Sequence, residues 1–192
     1  PFRSESLRMT SDFALPVQPA VALELPASPS QRLARAGAAV VLGLTQGFGL
    51  YLVTNNLSDI QGSLGATAAE ASWLTTAYFA TALWATLLVT KMRLHFGLRS
   101  FTVASLWVFL GVGTLHLWTD TLASAVAVRA ALGLAAAPLS TLAVFYMMDA
   151  LPPKMAPLAL LAGFACLQLP GPLSRIVAPD LLAAGRWHGL FR

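Results

Sequence analysis

Arg129 lies eight residues into an apolar run that covers residues 121–150. At ~1.5 Å of rise per residue, that is ~12 Å along a helix. A charge at such depth costs a few kcal/mol on insertion scales, so an intramembrane cation is a candidate for function. Two chemistries fit it. A guanidinium facing an aqueous cavity takes part in substrate or proton coupling, whereas one that snorkels to the outer interface or binds a backbone carbonyl is structural glue. A second set of polar groups, Thr45, Gln46, Tyr51, Thr54, Asn55 and Asn56, sits among the glycines at 43, 47 and 49. Gln46 could line a polar path or serve only as an interhelical hydrogen bond, and Gly43 with Gly47 forms a small-xxx-small pair that lets helices approach closely. Gln168 precedes a third feature, Pro170, Gly171 and Pro172, which removes two backbone donors and predicts a kink or break. Gln168 and Arg175 stand beside it as partners for the freed carbonyls, so this stretch is expected to face protein or a cavity rather than lipid.

Enzyme chemistry has no such constellation. There is no phosphate-cradling glycine loop and no nucleophile with a base, and His95, His116 and His188 are isolated in the chain. The spans hold no paired acids. The single cysteine, Cys166, lies in an apolar run and reads as a packing residue, with neither a disulfide framework nor metal-ligand spacing around it. No metal and no cofactor are implied.

The elements that position these residues are membrane helices. The chain is 57% hydrophobic and 10% charged, with a mean hydropathy of +0.69. A typical soluble domain is roughly 45–50% apolar and 25% charged. The net charge of +4 would suit a nucleic-acid partner in a soluble protein, but here the cations flank apolar runs, so topology accounts for them and the bilayer is the partner. Five spans are expected, at about 36–57, 71–90, 101–118, 121–150 and 155–177. Each can cross a hydrocarbon core of ~30 Å, which takes about 20 residues. Residues 1–33 mix prolines, serines and charges and read as a flexible cytoplasmic tail. Their apolar pieces are broken by Pro16, Pro19 and Pro26, unlike a cleavable leader. Pro1 points to a start inside a longer reading frame or after processing. Trp73 and Tyr78, near one end of the second span, read as interface anchors.

Short loops rich in Lys and Arg mark the cytoplasmic side. Arg32 and Arg35 put the beginning inside, the loop holding Asp59 and Glu70 outside, and the basic turn of residues 91–100 inside again. The cation-free loop at Thr119 and Asp120 returns outside, and Lys154 lies inside.

From about Gly43 to Arg192, the pieces in order resemble the amino-terminal half of a major facilitator superfamily transporter, in the drug:proton antiporter branch with fourteen spans. The string SLGATAAEASWLTTAYFATAL is similar to that branch's first loop and second helix at Leu64, Gly65, Glu70, Trp73, Ala77 and Tyr78. The family loop of the form G-x-L-A-D-R-F-G-R-R is met by TKMRLHFGLR, with Phe96, Gly97 and Arg99 matching. The fourth-helix pattern R-x-x-Q-G is met by RAALG through Arg129 and Gly133. The fifth-helix Gly-Pro pair is met by Gly171 and Pro172, and GRWHGLFR looks like the lead into helix six. The resemblance implies an all-α polytopic bundle built from inverted three-helix repeats. It also implies secondary transport by alternating access, with efflux of small amphipathic or aromatic compounds. Arg129, Gln46, Asn55 and Gln168 are then transport-path candidates, and Gly97, Arg99, Gly133, Gly171 and Pro172 belong to conformational motifs. A bacterial inner membrane, a small-molecule substrate and other efflux-system subunits follow as setting and partners. Two departures stand out: Leu94 replaces the loop aspartate, and Gly49 stands where the branch often carries an acid. Proton coupling by the familiar route lacks its carboxylate, which favours an alternative reading as a diverged, non-transporting scaffold or partner subunit.

Overall fold

The computed structural model describes residues 28–183, without the side chains at 90, 93, 94, 96, 98 and 178–183. Residues 1–27 of the expected tail, the segment GRWHGLFR and the side chain of Leu94 lie outside that description. The described residues form helices α1 (Pro29–Thr54), α2 (Leu57–Leu64), α3 (Ala68–Phe96), α4 (Leu98–Thr114), α5 (Leu122–Ala150), α6 (Ala156–Gln168) and α7 (Pro170–Ala183), with short 3-10 turns at Leu115–Trp118 and Pro153–Met155. Five stretches are long and apolar enough to cross a membrane: Pro29–Thr54, Ala68–Val89, Arg99–Trp118, Leu122–Ala150 and Pro153–Val177. The chain is an all-α polytopic membrane protein.

Local chemistry explains where the helices begin and end. α1 starts at Pro29, earlier than the residue 36 expected, because Ser28 and Gln31 form a capping box and Pro29 occupies the first turn, where no donor is needed. The loop expected after the first span contains a helix instead. α2 buries Ile60 against Val53, Leu74 and Ala125 and is closed by Gly65 at φ +60°. α3 starts early too. The Thr67 Oγ1 accepts from the Glu70 amide at 3.3 Å, and a Glu70 carboxylate oxygen accepts from the Thr67 amide at 2.8 Å. The basic segment expected as a turn is helical as far as Phe96; the reversal is confined to Gly97, at φ +75° and ψ 154°.

α5 is the hub of the bundle and packs against α1, α3, α4 and α6. Close approach depends on missing side chains. A Cβ on Gly133 would strike Thr81 Oγ1 and the Tyr78 carbonyl of α3. A Cβ on Gly43 would lie 2.9 Å from Cys166 Cβ, and one on Gly47 would lie 2.5 Å from Pro170 Cγ. The expected small-xxx-small pair therefore seats α1 on α6 and α7. Thr81 Oγ1 adds a hydrogen bond of 2.7 Å to the Ala130 carbonyl. The outward surface is apolar: Trp84, Leu87 and Trp107 are 72%, 74% and 71% exposed, as a lipid-facing belt requires.

Candidate functional site

Arg129 is fully buried, on the face of α5 turned to α1 and α3. Its Nη1 donates to the Gly49 carbonyl at 2.7 Å, and its Nε donates to the Leu74 carbonyl at 3.3 Å. Its Cζ stands 4.5 Å from the ring centroid of Tyr78, a cation–π distance. Snorkelling is ruled out by this geometry. The guanidinium instead ties three helices together through main-chain oxygens, and Nη2 has no hydrogen-bond partner among the described residues. Both N–H groups of Nη2 are left over.

Tyr78 corrects the expectation of an interface anchor. It is 1% exposed, and its hydroxyl accepts from Gln46 Nε2 at 2.9 Å. The ring is turned inward because α3 lies against α5 at Gly133, which places residue 78 between Arg129 and α1. Trp73, five residues earlier, does point outward and is 59% exposed. Gln46, Tyr78 and Arg129 thus form one buried polar row, roofed by the Gly49 carbonyl. At Gly49 the missing side chain makes room for Phe109, whose ring would meet a Cβ at 2.5 Å.

The other candidates lie apart from this row. Asn55 Nδ2 donates to the Gly171 carbonyl and to Ser174 Oγ, both at 2.8 Å. Gln168 Oε1 accepts from the Tyr51 hydroxyl at 2.6 Å and is exposed. Only Leu169 separates α6 from α7, and it keeps helical angles of φ −52° and ψ −38° with its amide donating to the Ala165 carbonyl at 2.9 Å. The expected kink or break is thus reduced to a local interruption of a continuing helical path. Gln168 and Arg175, expected as partners for the carbonyls freed there, are engaged with the Tyr51 hydroxyl and exposed, respectively. Asn55 and Ser174 serve the Gly171 carbonyl. Pro170 is buried against α1, whereas Pro172 is exposed. Arg99 is exposed at the start of α4, and Gly133 sits at the α3–α5 crossing.

Sequence reasoning missed the Gly49 and Leu74 carbonyls and misplaced Tyr78. A carbonyl has no residue type to give it away. Tyr78 had one available signal: it lies one helical repeat beyond Ala71 and Leu74, and all three are buried on the same face.

The family model described as Major Facilitator Superfamily matches residues 39–192. The chain belongs to that superfamily. The Major Facilitator Superfamily consists of transporters, not enzymes, and the chain is accordingly an integral membrane protein of the transporter kind. No curated protein matches the chain. In this superfamily member the buried ionisable side chains among the described residues include Arg129 and His116 but no Asp or Glu.

Proposed function

We propose that this chain works in secondary transport, moving small amphipathic or aromatic compounds outward by alternating access, as in the drug:proton antiporter branch with fourteen spans. The observation that carries this reading is the buried row Gln46–Tyr78–Arg129, in which Arg129 keeps an unpartnered Nη2. A guanidinium held by two carbonyls can release or regain them as helices shift, and its spare Nη2 donors suit an acceptor on a passing substrate. Asn55 and Gln168 sit at the α1–α7 and α1–α6 seams, where that motion would be felt. The setting that fits is a bacterial inner membrane with the beginning of the chain in the cytoplasm, and other efflux-system subunits are candidate partners.

Arg129→Lys keeps the charge but loses the planar fork that reaches two carbonyls. In the full-length protein this variant is expected to lower efflux at least about tenfold, with unchanged membrane abundance and a monodisperse elution profile. Growth against a panel of toxic organics, followed by flux in proteoliposomes, checks it. Wild-type flux that Arg129 variants leave untouched sinks the reading.

A second reading has its own support. With no buried carboxylate among the described residues, and with Leu94 and Gly49 at the positions of the usual acids, a proton-coupled step lacks the buried carboxylate that the familiar route uses. A diverged scaffold or partner subunit would show no flux with any panel compound while crosslinking captured a second membrane protein.

A further inference from the structure

At the cation-rich end of the bundle, Arg35 of α1 and Arg99 of α4 line one cavity of about 400 Å³, together with Ala34, Ala38 and Tyr146. That volume lies within the roughly 300–1,000 Å³ of small-molecule sites. No carboxylate lines it. Arg35 is half-buried, and its Nη1 reaches the Asp149 carbonyl at 3.5 Å, which holds the head at the cavity wall while leaving donors over. Arg99 is exposed, two residues past the Gly97 reversal. Tyr146 is fixed by a 3.2 Å contact between its hydroxyl and Thr102 Oγ1, so a third polar group is presented from α5.

Depth identifies the occupant. Arg99 is the first residue of its membrane stretch, and Arg35 lies six residues into Pro29–Thr54, or ~9 Å along the helix. Both guanidiniums therefore sit at headgroup level rather than in bulk water or hydrocarbon. The remaining walls, Ala34 and Ala38, are small and apolar, and Leu33 next to them is 75% exposed. Two cations lining one cavity beside an apolar wall fit a phosphodiester with its glycerol and acyl chains below it. Basic pockets between spans recognise anionic headgroups by this chemistry.

We infer that the Arg35–Arg99 cavity is a binding site for the phosphate of an anionic phospholipid in the adjoining leaflet, clamping α1 to α4 beside α5. The inference is independent of the transported substrate.

Native mass spectrometry and thermal unfolding of the full-length protein in neutral detergent test it, with added phosphatidylglycerol, phosphatidylcholine or inorganic phosphate. Phosphatidylglycerol is expected to stay bound and to raise the unfolding temperature more than phosphatidylcholine does. Arg35→Gln with Arg99→Gln should weaken its binding about thirtyfold, and Lys154→Gln, which removes a cation outside the cavity, should leave it unchanged. If the double variant does not fold, Ala38→Glu carries the same expectation by placing a carboxylate in the wall. Equal binding of the two lipids, or wild-type binding by a folded double variant or by Ala38→Glu, overturns the inference. Stabilisation by inorganic phosphate equal to that by phosphatidylglycerol also overturns it, in favour of a soluble anion.

Discussion

Tyr78 does two jobs with one side chain. Its hydroxyl takes the Gln46 donor, and its ring lies under the Arg129 guanidinium. Tyr78→Phe separates them, because it keeps the ring and leaves the Gln46 amide without its acceptor. Interhelical hydrogen bonds in membranes average about 0.6 kcal/mol and reach about 1.7. A loss in that range is expected for Tyr78→Phe, and a double-mutant cycle with Gln46→Leu in reversible unfolding should return most of it as coupling. A coupling of zero would mean that the two groups do not meet. Arg129, Gln46 and Asn55 could be singled out from the sequence because polar types are conspicuous in apolar runs. Their partners could not, since the Gly49, Leu74 and Gly171 oxygens belong to the main chain and every residue has one.

The helix contacts are set by glycines of two different kinds. Gly133 is required by space: a side chain there meets the backbone of α3 at Tyr78, which cannot rotate away. Gly133→Val is expected to cost about 1–3 kcal/mol, while Gly111→Ala, with nothing within 4 Å of the added carbon, should be nearly silent in the same melting assay. Gly97 is required by conformation. Its φ of +75° with ψ of 154° falls outside the left-handed helical basin that asparagine tolerates. Gly97→Ala and Gly97→Asn are therefore both expected to lose about 1–3 kcal/mol, and a mild asparagine variant would show that the reversal relaxes. The five apolar stretches were legible from length and hydropathy alone, whereas the kink or break expected at the prolines is no more than a local interruption at Leu169. α2 was not legible, although Leu57, Ile60 and Leu64 follow a helical spacing and Gly65 supplies the stop. Eight residues between two long spans give a short pattern that a loop assignment overrides. The threonine-to-glutamate cap of α3 was missed for the same reason: Glu70 was counted as a loop charge rather than as the third residue of a capping box.

For the whole molecule, the distribution of cations makes the orientation testable. Arg35, Arg99 and Lys154 belong to one end of the bundle, and α2 with Gly65 belongs to the other. Ser100→Cys should be labelled by an impermeant maleimide only after the cytoplasmic face is opened, and Ser63→Cys should be labelled in intact cells. Cys166, the native thiol, is 7% exposed and packs against α1, so background labelling should be low. The reverse pattern would invert the topology. The sequence carried this end-to-end polarity clearly, because loop cations are read without knowing any packing. It did not show that α5 is the hub, since a helix apolar on every side looks the same whether proteins or lipids surround it.

That hub also orders the events of synthesis. α1, α3 and α4 leave the ribosome before α5 and touch one another only sparingly. Until the fourth membrane stretch is made, the carbonyls of Gly49 and Leu74 face no guanidinium and the Tyr78 backbone has no glycine to pack against. A chain cut off before α5 is therefore expected to hold its first helices together only weakly, which limited proteolysis of that truncation against the intact chain would check. The contacts that make a bundle of them are those of α5, with its arginine held between α1 and α3.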